Sequence, residues 1–156
     1  MTRVFTEGAE AGDLLFFSSP GNTTNVTTTP RSGSRCFRIS NTGTASSKSI
    51  TAISELFMRV GFNLDTSPTS SPQRIVAWRA SSTELGSVRV NGLTGAVEIY
   101  TGTGTLVGVG TITIQIDTWY SLEVHVKIAN SLGVIECTID GVPDVSFTGD
   151  TQPGAD

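Results

Sequence analysis

A chain of 156 residues with 37% hydrophobic residues is long enough to bury one proper core and leaves little room for a second. A formal net charge of −4 and the absence of any Lys/Arg run exclude a nucleic-acid protein, because phosphates demand a basic stripe. No apolar run approaches the roughly 20 residues of a membrane span, and the remaining composition, rich in Thr, Ser and Gly, suits a β-sandwich.

The opening "MTRVFTEGAEAGD" has neither the basic nor the apolar region of a signal peptide, so no leader is expected. "SSPGNTTNVTTTPRSGS" reads as a polar loop or frayed edge strand. It carries the sequons at Asn22 and Asn25, which matter only on a glycosylating secretory route. "RCFRIS" is strand-like and holds Cys36; the other cysteine, Cys137, sits in the equally strand-like "VIECTID". Two lone cysteines have no metal spacing. Buried apolar packing is the default for both, and a bridge would require adjacent strands of suitable geometry.

Period-two alternation then takes over, and no stretch keeps helical spacing. "ELFMRVGFNL" sets Leu56, Met58, Val60, Phe62 and Leu64 on one face, with Arg59 and Asn63 opposite. "DTSPTSSPQ" is a surface loop, since Pro68 and Pro72 keep it out of a sheet. "QRIVAWRA" follows, then "SVRV" and "AVEIY" joined through "NGLTG", whose glycines supply positive φ without steric conflict. "TITIQI" presents Ile112, Ile114 and Ile116 together. "SLEVHVKIA" and "GVIECTID" flank "NSLG", and Asp140-Gly141 turns the chain into "DVSF". Turns spaced about eight to twelve residues apart indicate a sandwich or jelly roll, with one domain over residues 1–156.

The segments "FTEGAEAGD", "RSGSRCFRIS", "ELFMRVGFNL" and above all "WYSLEVHVKI…GVIECTIDGV…FTGDT" resemble the laminin-G-like branch of the concanavalin A-like jelly rolls. The version they resemble is the one common in phage and environmental viral proteins. The resemblance implies an antiparallel two-sheet sandwich, one sheet curved into a concave face. It also implies a strand beyond "FTGDT" that is missing here, so the expected fold lacks its last strand as a fragment, a short variant, or a domain completed by a partner's strand.

Reaction chemistry finds little support in the residues. Glycoside hydrolysis needs two carboxylates roughly 5–9 Å apart over one sugar subsite. Hydrolases of the resembled fold carry Glu-x-Asp-x-x-Glu on a concave strand, and no such run occurs; Glu7, Glu10 and Asp13 are the closest set. No Gly-x-Ser-x-Gly turn accompanies the lone His125, and the Ser46-Ser47-Lys48 spacing does not fit a Ser-Lys pair. One His and two dispersed Cys cannot hold zinc. No cofactor is expected. Structural calcium is the metal the residues allow, at Asp117, Asp140, Asp144 and Asp150 in predicted turns, where some members of the resembled family hold it at the sandwich rim.

The outward row of "SLEVHVKIA" is Glu123, His125 and Lys127, which alternation alone explains as the wet side of a strand. If the resembled concave sheet contains it, Arg59 and Arg79 join that row. Trp78 and Tyr100 then serve for stacking, with Arg59, His125 and Lys127 as donors to a glycan. Trp119 is expected to be structural. The resemblance implies a non-enzymatic structural or decoration protein on the capsid or tail surface of a tailed phage, located on the virion surface or otherwise extracellular. Its partners would be other virion proteins, copies of itself, or host glycans in adhesion. A free carbohydrate-binding, lectin-like module is the alternative, and a glycoside hydrolase of the same fold comes third.

Overall fold

The computed structural model describes residues 18–19, 21, 23–28, 30–39, 46–66, 71–102 and 104–153. The chain falls into two compact units, residues 1–51 and 52–156. In the first, β1 (Thr23–Val26) pairs antiparallel with β2 (Cys36–Ile39), in a register that sets Val26 opposite Cys36. The Thr-rich stretch is therefore a strand at its centre. Ser19 bridges Ser47, Ser18 Oγ accepts the Ser49 amide at 3.0 Å, and the hydroxyls of Thr23 and Ser46 share a hydrogen bond. Asn22 and the early carboxylates Glu7, Glu10 and Asp13 lie outside the described residues.

The second unit is an antiparallel two-sheet β-sandwich, and no helix occurs among the described residues. One sheet runs β10 (Val142–Gly149), β9 (Gly133–Ile139), β8 (Tyr120–Lys127), β3 (Glu55–Phe62). The other runs β4 (Gln73–Ala80), β5 (Thr83–Val90), β6 (Ala96–Thr101), β7 (Thr105–Thr113). Alternation sends Leu122, Val124 and Val126 of β8 and Ile135, Cys137 and Ile139 of β9 inward. They meet Val88 and Val90 of β5 and Val97 and Ile99 of β6 in one buried cluster. Each such side chain contributes about 1.5–3 kcal/mol by leaving water. Every core residue among those described comes from the second unit.

Local chemistry explains the turns. Asp140 and Gly141 both hold positive φ, 50° and 81°, which makes the tight β9–β10 hairpin. Asn91 organises the β5–β6 loop: its Oδ1 accepts the amides of Leu93 and Thr94, while its Nδ2 donates to Glu98 at 2.8 Å. The β7 segment ends earlier than alternation suggests. Ile114 remains buried beyond it, but Ile116 falls in a turn beside Asp117, whose φ is 54°, and is 50% exposed.

Two polar side chains tie β10 and the segment after it to their neighbours, Asp144 across the sandwich and Thr151 within its own sheet. Asp144 sits at a bulge in β10 rather than in a turn, and its Oδ1 accepts the Thr111 and Ile112 amides of β7 at 2.7 and 2.8 Å. One carboxylate thus links an edge strand of each sheet. Thr151 is fully buried; its hydroxyl accepts from the Ala129 amide at 2.9 Å and donates to Lys127 O at 2.8 Å. A Cβ at Gly133 would stand 2.8 Å from Thr151 Cβ, so the close approach requires glycine there.

Candidate functional site

Because β3, β8 and β9 are neighbours, their outward residues form rows across one sheet. Phe57 lies opposite His125, which lies opposite Glu136; Arg59 lies opposite Glu123, which lies opposite Thr138. Glu55 faces Lys127 in the next row. His125 Nε2 is 2.9 Å from Glu55 Oε1 and its Nδ1 is 2.8 Å from Glu136 Oε2. Its ring stacks on Phe57 at 4.2 Å between centroids and 6° between planes. Arg59 Nε stands 3.2 Å from Glu123 Oε1 and donates to Ser121 Oγ at 3.1 Å. Around this group is a shallow depression of about 340 Å³, bordered by Phe57, Arg59, Glu123, His125, Glu136 and Thr138.

An imidazole with a carboxylate at each nitrogen satisfies both only as the cation, which donates twice. Burial works against the charged ring, but the hydrogen bonds and charges of Glu136 and Glu55 outweigh it, and the His125 pKa is raised above its ordinary 6.5. A raised folded-state value adds stability that is complete below the unfolded pKa and disappears as pH rises through the folded one. Urea midpoints of the wild-type protein should therefore fall from pH 6.5 upward relative to those of His125→Gln. Parallel midpoint curves for the two proteins across that window would contradict the clamp.

The expected binding set divides. Arg59, Glu123, His125 and Lys127 share the outer face of the β8 sheet. Arg79 and Tyr100 lie on the outer face of the β5 sheet instead, because β3 and β4 are consecutive in sequence but belong to different sheets. Trp78 is only 5% exposed and packs over Gly86 in the core, so its ring offers no face to a ligand. That corrects the stacking role expected for it. The ring that does stand in the polar field is Phe57, 50% exposed. Its signal was its parity with Arg59 in "ELFMRVGFNL", an aromatic in an outward position.

The aspartates expected at a calcium rim work separately: Asp140 Oδ1 accepts the Ser121 amide and Asp150 Oδ1 the Gln152 amide, while Asp144 serves β7. Among the described residues no three His, Cys, Asp or Glu side chains gather where a metal could be held. Both cysteines are free thiols, and burial together with the Asp144 charge pushes the Cys137 thiol up to about 12. No helix among the described residues is long and apolar enough to cross a membrane. What fold and site define together is a β-sandwich with an aromatic-centred polar depression on one sheet. Comparison with protein-family models, curated proteins and solved structures finds no match.

Proposed function

We propose that the chain is a non-enzymatic contact module of the jelly-roll kind, decorating the capsid or tail surface of a tailed phage and touching host glycan through the outer face of β3, β8 and β9. The observation that carries the contact reading is the half-exposed Phe57 ring framed by Arg59, Glu123, His125 and Glu136. An apolar ring set among fixed donors and acceptors suits a pyranose, which has an apolar face and a hydroxyl edge. The virion location draws on the sequence resemblance, and other virion proteins or further copies of the chain are the partners it implies.

Phe57→Ala should weaken glycan binding at least about tenfold, as loss of a central aromatic does. Its thermal unfolding should stay close to wild type, because the ring is half in water. A glycan array with the monomer reads the first and mass spectrometry of purified particles reads the location. Silence on the array together with absence from particles would overturn the proposal. Saturable glycan binding by a protein absent from particles would favour a free lectin-like module.

A hydrolase reading has one feature in its favour, the two carboxylates of Glu55 and Glu136 on one face. The His125 ring bonds to both and fills the space between them, where a glycosidic oxygen and a water would have to stand. That supports a face built to hold a ligand over one built to cleave it.

A further inference from the structure

The outer face of the β5 sheet has a different character. Arg74, Arg79 and Arg89 converge on the single carboxylate of Glu84, with Arg74 Nη2 at 2.9 Å, Arg79 Nη2 at 3.4 Å and Arg89 Nη2 at 3.5 Å. Three of the chain's ten Lys and Arg residues thus meet at one point of a protein whose net charge is −4. Glu98, buried and opposite Arg89 on β6, is the second carboxylate of this face, so three guanidiniums stand against two carboxylates and one positive charge is in surplus.

The three arginines are not equivalent. Arg89 is the fixed floor: 14% exposed, it lies 4.1 Å over the Tyr100 ring and donates from Nε to Ser87 Oγ at 3.0 Å. Arg74 and Arg79 are the rim, 38% and 56% exposed, while Glu84 beneath them is 6% exposed. Each rim guanidinium has five N–H donors and gives one to Glu84. Their forks are held beside one another by the same carboxylate, so binding a further anion would require little reordering. A planar or tetrahedral oxyanion laid across both receives paired charge-assisted hydrogen bonds.

We infer that Arg74 and Arg79, positioned by Glu84 over the Arg89 floor, form an oxyanion site for the carboxylate or sulfate groups of an acidic polysaccharide. The site lies on the sheet opposite the Phe57 depression and stands on its own geometry. Only the choice of a glycan as the carrier rests on the adhesion reading.

The test is binding of the full chain to sulfated dextran and polygalacturonate, with neutral dextran and polyglutamate beside them, at low and at physiological salt. Sulfated dextran should bind, weaken steeply with salt, and lose about tenfold or more in each of Arg74→Gln and Arg79→Gln. Arg79→Lys, which keeps the charge and loses the fork, should fall between, and it serves if a Gln variant unfolds. Phe57→Ala should leave this binding unchanged while removing neutral-glycan binding, so the two proposals fail separately. Sulfated dextran held equally by the Arg74→Gln/Arg79→Gln double variant would overturn the site. Polyglutamate held as tightly as sulfated dextran would overturn the polysaccharide carrier and make the partner an acidic peptide.

Discussion

Gly86→Ala is expected to lower the melting temperature by about 10 °C, the consequence of an overpacking penalty near 3 kcal/mol in a chain of this size. Trp78 of β4 lies opposite Gly86 of β5, and the indole covers the glycine where a side chain would be. A Cβ there would stand 2.8 Å from Trp78 Cε2 and 2.9 Å from the backbone oxygen of Tyr100. The indole is 5% exposed and hemmed in by the core, and the Tyr100 carbonyl belongs to a paired strand, so neither can withdraw cheaply. Gly104→Ala is the control, because nothing lies within 4 Å of a Cβ at that position. Differential scanning calorimetry of the two variants separates the cases. Equal melting temperatures would mean that the indole is free to move. Replacing Trp78 by Leu in the Gly86→Ala background should recover part of the loss, since the two substitutions act on one contact.

The same pair shows where reading the chain from its alternation works and where it stops. Period two assigns each residue of a strand to one of two faces, and "SLEVHVKIA" and "ELFMRVGFNL" sort correctly into core and outward rows. It does not say which strands are neighbours. Arg59 and Arg79 both read as outward, yet they point away from opposite sides of the sandwich. Nor does it assign partners within a face. Glu123 and Lys127 flank His125 in sequence, but residues two apart on a strand stand roughly 7 Å from one another. Cross-strand neighbours come within about 5 Å, and His125 accordingly pairs with Glu55 on β3 and Glu136 on β9. Trp78 was misplaced for a simpler reason: it and its neighbour Arg79 were both expected on the exposed face, whereas adjacent strand residues point to opposite faces, and Arg79 is the outward one. The β4–β5 ladder also skips twice, leaving Ile75 of β4 and Leu85 of β5 unpaired, and such bulges are invisible to a strict two-residue count.

Asp144→Ala should cost about 1.5–3 kcal/mol, chiefly because it leaves the half-buried Ile112 amide of β7 without its charged acceptor, while water can replace the carboxylate at the exposed Thr111 amide. β7 is an edge strand, and its Thr111 and Ile112 amides are taken by a side chain from the edge of the other sheet. The bulge between Pro143 and Val145 is what turns that carboxylate toward β7. Gly110 leaves the room: a Cβ there would be 2.8 Å from Asp144 Oδ1. Asp144→Asn keeps one neutral acceptor in place and should lose about half as much, since hydrogen bonds to a charge are roughly twice as strong. A second readout follows from Cys137, which lies opposite Val145 in the adjoining ladder and is 2% exposed. With its thiol held near 12 by burial and by the Asp144 charge, it should alkylate only when that edge opens. In a Cys36→Ser background, labelling of Cys137 should be slow in the otherwise wild-type chain and several-fold faster in Asp144→Ala. Removing the charge also eases thiolate formation, so the rate must be compared with that of Asp144→Asn, which is equally neutral but still spans the sheets. Faster labelling in both variants alike would assign the effect to charge; faster labelling in Asp144→Ala beyond Asp144→Asn assigns it to the broken link between the two layers.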